Sequence, residues 1–349
     1  MRRASAFRAH AGDGRESVMG SPTLKRPATI VASLTASGVL LAVLYRTLDA
    51  RLVAQTLVQA SPVWLAISIG MIVPITALRA LRFALIAPRG ALAGIGEALR
   101  LTFAASALNV FLPAKSGDLI KSYFVATRGN VSAGVAVSIV VYERLSDLFG
   151  LIGWCLIGWL VSRPQVTGLS ETFWWVLAGL GLLCGVLISS EFAASLVERA
   201  MTSVLPEGRM RRLWSLSRAW PDLLGLIRGR RRWIVPFSLG LWLTHLFQVW
   251  LFTVALKAHV PIAVCMSLSA LALMAGQVPL TIAGLGTRDV ALVVLMARYI
   301  PPEEAAALGL LMSTRNLLPP LLGMPVMWPY LSQAVGHARQ WRSLAETAE

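Results

Sequence analysis

Two groups of ionisable residues stand inside otherwise apolar sequence, and their order is the same. The first begins with Asn109 and Lys115-Ser116-Gly117-Asp118, adds Lys121, and continues at Glu143-Arg144 and Asp147. The second begins with Gly284-Leu285-Gly286-Thr287-Arg288-Asp289 and continues at Ser313-Thr314-Arg315-Asn316. Asp118 precedes Arg144 by 26 positions, and Asp289 precedes Arg315 by 26. Ser116 and Thr287 each lie two before the acid. A small-residue break, a hydroxyl residue, an acid, an apolar stretch and an Arg therefore recur, which reads as an internal repeat. Ser116 and Thr287 suit helix N-caps, with Asp118 and Asp289 in the first turn. A helix that starts within a membrane turns unpaired N–H groups and a positive dipole end toward a cavity. With Lys121, Arg144, Arg288 and Arg315 around it, such a cavity suits an anion, because guanidinium holds phosphate with a planar fork and stays charged when buried. Asp118, Glu143, Asp147 and Asp289 would partner the cations when the site is empty.

Plainer readings exist for the same residues. Asp118 and Asp289 also fit ordinary helix-start signals. Glu143-Arg144 also fits a structural ion pair at a membrane surface. Gly284 and Gly286 also fit a turn or tight packing. His245 and Gln248 share a helix face and are expected to bond a neighbouring helix rather than a ligand. Trp154, Trp159, Trp174 and Trp175 read as interface anchors. Cys155, Cys184 and Cys265 lie in apolar runs without pair or metal spacing, and the four His are scattered, so neither a disulfide framework nor a metal site is expected. No Gly-rich phosphate loop ending in Lys-Ser/Thr is present, and no cofactor is expected.

The elements that must position these groups are membrane helices. The chain is 56% hydrophobic and 14% charged, against about 25% charged in soluble domains. Apolar runs of spanning length recur, and the absence of strand alternation favours helices over a barrel. The pattern predicts an all-α, polytopic helical membrane protein with about 8–10 membrane segments. Helices are predicted near 28–45, 62–83, 92–111, 145–162, 173–190, 233–256 and 261–282. Pro113–Tyr142 and Ala283–Leu331 read as short, broken or re-entrant helices. On this count the two copies of the repeat are inverted in the membrane. The chain divides into a basic tail over 1–27, a membrane domain over 28–331 with an Arg-rich connector at 191–232, and a tail over 332–349. Met19 is an alternative start to Met1, and the first apolar run is expected to be retained.

Formal net charge is +15. In a membrane chain this reflects cytoplasmic loops rather than nucleic acid. Basic residues concentrate in the N-terminal tail, at Arg79, Arg82 and Arg89, in the connector, and at Arg339 and Arg342. The opposite loops hold only Arg46, Arg51, Arg163 and Lys257. The asymmetry places both termini in the cytoplasm. Lys115, Lys121 and Arg128 do not fit it, so that segment either dips into the membrane and returns or carries functional charge. In the connector, Leu213, Leu216, Trp220, Leu223, Leu224 and Ile227 alternate with Arg at helical spacing. This fits a surface helix on anionic lipid, a plain connector, or a docking site for a partner protein.

The motifs as a set resemble the transmembrane, flippase-like domain of the lysylphosphatidylglycerol synthase family. They are Leu112-Pro113 through Asp118-Leu119-Ile120-Lys121, then Glu143-Arg144-Leu145-Ser146-Asp147, then Gly284-Leu285-Gly286-Thr287-Arg288-Asp289. The resemblance covers roughly residues 28–331. Asp stands where the family has Glu at 118 and 289, and Lys where it has Arg at 121, which keeps the charge but shortens the reach of the acids. The resemblance implies the lipid-translocating half and not lysine transfer. The expected function is a flippase or transporter of the inner (cytoplasmic) membrane. It would move an anionic or phosphate-bearing lipid, with Asn109, Asp118, Lys121, Glu143, Arg144, Asp147, Gly284, Gly286, Arg288, Asp289 and Arg315 around the headgroup. The alternatives are an accessory subunit of a lipid or glycolipid biosynthesis system, and a membrane enzyme with Asp118, Glu143 and Asp147 as acid–base groups. Neither the lipid nor the coupling is legible at this level.

Overall fold

The computed structural model describes residues 35–43, 46, 48–111, 117–129, 131–163, 169–192, 195–196, 199, 219–277 and 286–346. Its regular elements are helices: α1 (Ala50–Val58), α2 (Pro62–Gly70), α3 (Ile72–Ile86), α4 (Ile95–Phe111), α5 (Leu119–Arg128), α6 (Ala133–Ser162), α7 (Glu171–Ser189), α8 (Arg228–Ala255), α9 (Ile262–Ala275), α10 (Thr287–Met296) and α11 (Pro302–Glu346). Residues 35–43 and 219–226 are also helical. There is no strand among the described residues. Pro62–Ile86, Ala133–Ser162, Glu171–Ser189 and Arg228–Ala255 are long and apolar enough to cross a membrane. Large apolar side chains such as Val73, Val161, Trp175 and Leu182 point outward and are at least 70% exposed. An apolar exterior of this kind is the surface a bilayer covers.

Local chemistry sets the boundaries. Asp49, Ser132 and Ser170 cap α1, α6 and α7 by accepting backbone N–H bonds. The Ser132 cap starts α6 twelve positions before the predicted 145. Glu143, Arg144 and Asp147 therefore lie inside a 30-residue helix rather than in a break before one. Within the spans, Ser68, Thr76, Thr102, Ser106 and Ser238 donate their hydroxyls to the carbonyl four residues back. This satisfies them where water is absent. α11 runs on through Pro319, Pro320, Pro325 and Pro329. Proline has no N–H, so the carbonyls of Arg315 and Asn316 lose their usual helical donors, which favours bending there.

Two buried apolar clusters form the core. One gathers Leu151, Ile152, Leu246, Phe252, Cys265, Leu268, Leu292 and Met312. The other gathers Phe83, Leu101, Phe124, Ile139, Tyr142, Leu223 and Ile234. On α6 the charged turn 143–147 falls between stretches belonging to the two clusters. The most extensive helix contacts join α4 to α11 and α6 to α9. Both are close backbone approaches made possible by glycine. A side chain at Gly323 would run into the Phe103 carbonyl oxygen, and one at Gly158 would meet the Ala263 carbonyl oxygen at 2.6 Å.

The connector also takes a definite place where it is described. Leu223, Leu224 and Ile227 are fully buried in the second cluster, and the Trp220 indole donates to the Leu187 carbonyl at 3.2 Å. This face is packed against protein rather than laid on lipid. Leu213 and Leu216 lie outside the described residues.

Candidate functional site

α5 is a ten-residue helix that feeds the long α6, and α10 is a ten-residue helix that feeds the long α11. Both short helices begin at a residue of the repeated motif. Asp118 and Asp289 are 171 positions apart, as are Arg144 and Arg315. The same offset recurs in packing. Gly117 abuts the carbonyl of Ala105, and Arg288 at the matching position abuts Gly276 with its Cβ. The small residue has changed sides of an equivalent contact.

The first motif builds a buried ion-pair network. Asp118 is 1% exposed and receives Arg144 Nη2 on Oδ2 at 2.6 Å. Lys121 Nζ lies 3.6 Å from Asp118 Oδ1, and Asn109 donates to the same oxygen at 3.5 Å. Lys121 then reaches Glu143 Oε2 at 3.2 Å and lies over the Phe83 ring. Arg144 also approaches Asp147 Oδ2 at 3.4 Å. Asp147 Oδ1 receives Arg82 Nη1 at 2.7 Å and the Trp242 indole N–H at 3.1 Å. Gly150, one turn beyond Asp147, leaves room for that indole, whose Cδ1 sits 2.5 Å from where a Cβ would stand. The Arg82 contact is an ion pair without hydrogen-bond alignment, which leaves its Nε and Nη1 without a hydrogen-bond partner.

The second motif closes more locally. Arg288 donates from Nε and Nη2 to Asp289 Oδ1, at 3.1 and 2.6 Å. Nη2 also reaches the Gly309 carbonyl at 3.1 Å and Ser313 Oγ at 2.8 Å. Asp289 Oδ2 accepts the N–H of Gly286 at 3.0 Å. Gly286 has φ +98°, a conformation that costs glycine little. It stands at the N-cap position with Thr287 already helical, so the predicted Thr287 cap is displaced by one residue. Ser116 and Gly284 lie outside the described residues.

The helix-start reading thus holds for one acid and not the other. Asp289 caps its own helix, whereas Asp118 forms no side-chain cap on α5 and serves the network instead. Glu143-Arg144 is no surface pair. Glu143 is 2% exposed, and the two residues bond different partners. Gln248 donates to the Ser68 carbonyl at 2.8 Å, as expected of a residue tying two helices. His245 behaves differently, for its buried Nδ1 has no hydrogen-bond partner.

Arg315 is the exception among the predicted cations. It is 8% exposed, has no carboxylate within ion-pair distance among the described residues, and leaves Nη1 without a partner. Its electrostatic neighbours are other cations, Arg288 and Arg79. His245 neighbours the first motif through Trp242, whose indole donates to Asp147. Its ring lies 4.9 Å from that of Trp242.

Arg82, counted above among the cytoplasmic basic residues, lies within α3, which continues to Ile86, and is 2% exposed. Arg128, the residue that fitted neither side, pairs with Glu97. Of the Trp anchors, Trp159 stacks on Trp174 and carries the Arg163 guanidinium over its outer face.

The helices and the buried network define a polytopic membrane protein whose ionisable groups face inward. The model of the lysylphosphatidylglycerol synthase TM region matches residues 30–323, and the chain belongs to that family. It is also similar to the glycosyltransferase AglD of Haloferax volcanii, at 24% identity over 82% of this chain. The chain corresponds to about half of that relative, 52% of its length.

Proposed function

We propose that this protein binds the anionic headgroup of a membrane lipid at Arg315 and carries it between leaflets. The observation that carries the reading is a buried guanidinium with no acid within ion-pair distance among the described residues. An uncompensated charge at bilayer depth is costly and is kept where it meets a ligand or a transported group. Arg144, Lys121 and Arg288 are held by acids in this state and would exchange partners as the headgroup passes. The matched short-helix and long-helix pairs, with their reciprocal packing of α4 on α11 and α9 on α6, support a repeat inverted in the membrane, a frequent basis for alternating access. Family membership and the glycosyltransferase relative support a place in lipid or glycolipid pathways. In this reading the protein sits in the cytoplasmic membrane with both termini inside, acts without its own catalytic chemistry and leaves the lipid unchanged. A partner protein then meets the Arg-rich connector away from Leu223, Leu224 and Ile227, which are buried.

The test is reconstitution in liposomes with fluorescent anionic lipids, following their movement in both directions. Wild type is expected to equilibrate the label between leaflets and Arg315→Ala to lose that activity. Equal rates for the two, or covalent change in the recovered lipid, would overturn the proposal.

A further inference from the structure

α7 packs along α6 through glycine, for side chains at Gly181 and Gly185 would press on Ile152 and Phe149. Beside this contact lies a groove of about 590 Å³, formed by Phe149, Gly153 and Leu156 of α6 and by Leu182 and Val186 of α7. α8 also packs on α6 but scarcely touches α7, and Leu182 and Val186 remain exposed on the apolar exterior. The lining is apolar except at one end, where Ser189 and Ser190 stand. Along α7 it runs from Ala178 to Ser190, about 18 Å of helix. One leaflet of hydrocarbon is about 15 Å deep.

The polar end of the groove adjoins charge. Glu191, the residue after Ser190, pairs with both Arg228 and Arg231. α8 opens with Arg228, Arg230, Arg231 and Arg232 and holds no acid along its length. The Arg228 side chain is 71% exposed, so it can accept a second anion beside Glu191. From this we infer that the groove seats one acyl chain of an anionic phospholipid, with its phosphate at Arg228 and Arg231. The site lies on a different face from Arg315 and stands whether or not Arg315 carries lipid. Arginines clustered beside a membrane helix attract anionic headgroups, and guanidinium grips phosphate oxygens in pairs. The groove adds a fixed bed for the chain, at the depth that a headgroup held by these arginines requires. A zwitterionic lipid brings its own cation and gains less from the arginines. Inorganic phosphate gains nothing from the groove.

The experiment offers the protein, in detergent micelles, equal amounts of phosphatidylglycerol and phosphatidylcholine with the same acyl chains, and counts retained lipid by native mass spectrometry. Wild type is expected to favour phosphatidylglycerol about tenfold, the ratio that one charge-assisted hydrogen bond supplies. Arg228→Gln with Arg231→Gln should bring phosphatidylglycerol down to the phosphatidylcholine level, while the corresponding pair of Lys substitutions keeps part of the preference and guards against a folding artefact. Glu191→Gln should strengthen the preference, because it releases both guanidiniums. Ala178→Trp fills the inner end of the groove and should lower retention of both lipids, with its unfolding temperature showing that it is folded. The preference should persist in Arg315→Gln. Equal retention of the two lipids by wild type, an undiminished preference in the double Gln variant, or full retention in Ala178→Trp would overturn the inference. Ready displacement of bound phosphatidylglycerol by excess inorganic phosphate would assign the arginines to free anions and overturn it as well. A preference lost in Arg315→Gln but kept in the double Gln variant would overturn it while supporting the headgroup site at Arg315.

Discussion

The two copies of one motif have opposite electrostatic fates. In the first, the acid at the start of α5 reaches across to the Arg of α6, and Arg82 and Lys121 extend the network until charges balance. In the second, Asp289 is taken up by its own neighbour Arg288 and by the Gly286 N–H, and among the described residues no acid pairs with the Arg of α11. A few substitutions at matching positions account for this. Gly117 corresponds to Arg288, Lys121 to Leu292 and Asp147 to Leu318. An arginine placed beside the second acid captures it, and an apolar residue replaces the acid that would have served Arg315. The first copy resembles a finished structural unit, and the second a unit left open on one side.

That difference is best broken in the first copy, where the largest effect is expected. Among the described residues Lys121 is the ion-pair partner of Glu143, and both are buried. Lys121→Met should lower stability by about 3–5 kcal/mol, the usual cost of stranding a buried charge. The double variant Lys121→Met with Glu143→Leu should recover most of it, since a buried pair replaced by apolar side chains is often neutral. Thermal unfolding in detergent measures both, and a double variant no better than the single would mean that the network is held by more than this pair. Arg315→Met in the second copy should shift the other way, raising the lipid-free stability by about 1–2 kcal/mol because no partner is stranded. A loss of stability in Arg315→Met would reveal an acidic or carbonyl partner and erase the contrast between the copies.

Much of this was legible in the sequence, and the reasons for success and failure are physical. The matched spacing was visible because distance along the chain is a one-dimensional quantity, and in the fold each 26-residue interval runs from a short helix into a long one. The helical membrane class followed from composition. Arg82 was missed as a site residue because its charge was counted toward orientation, although the predicted helix over 62–83 already contained it. The available signal was that apolar residues continue past it to Ile86, so the helix could go on and carry it inward. The partnership of Lys121 with Glu143 was not legible, for it depends on the angle between α5 and α6. The same holds for Trp242 and Asp147, which come from distant helices. The fate of Asp289 was open as well, since capping and ion pairing demand the same residue type.

The packing of the two halves offers a subtler comparison. Gly158→Ala and Gly323→Ala each push a methyl group into a carbonyl of the facing helix. Each should cost about 1–3 kcal/mol, the range for overpacking a close contact. Similar values would support equivalent interfaces, and a Gly323 variant with no cost would show that the proline-bent α11 yields where α6 does not.

The smallest effect belongs to a more exposed ion-pair system at the start of α8, which calibrates the buried ones. Glu191 accepts from Arg228 and lies 3.3 Å from Arg231. The hydrogen bond from Arg228 holds its carboxyl below the ordinary value of 4.5. A carboxyl lowered by folding contributes stability above its ordinary value and loses that contribution as pH falls through the lowered one. The difference in unfolding temperature between wild type and Glu191→Gln should therefore be small at neutral pH, shrink in high salt and vanish in acid below 4.5. The gap for Lys121→Met should withstand the same salt, because water and counterions do not reach that pair. A Glu191 gap as large and as salt-resistant as that of Lys121 would place the start of the connector inside the low-dielectric region, and the boundary of the membrane domain would have to be redrawn there.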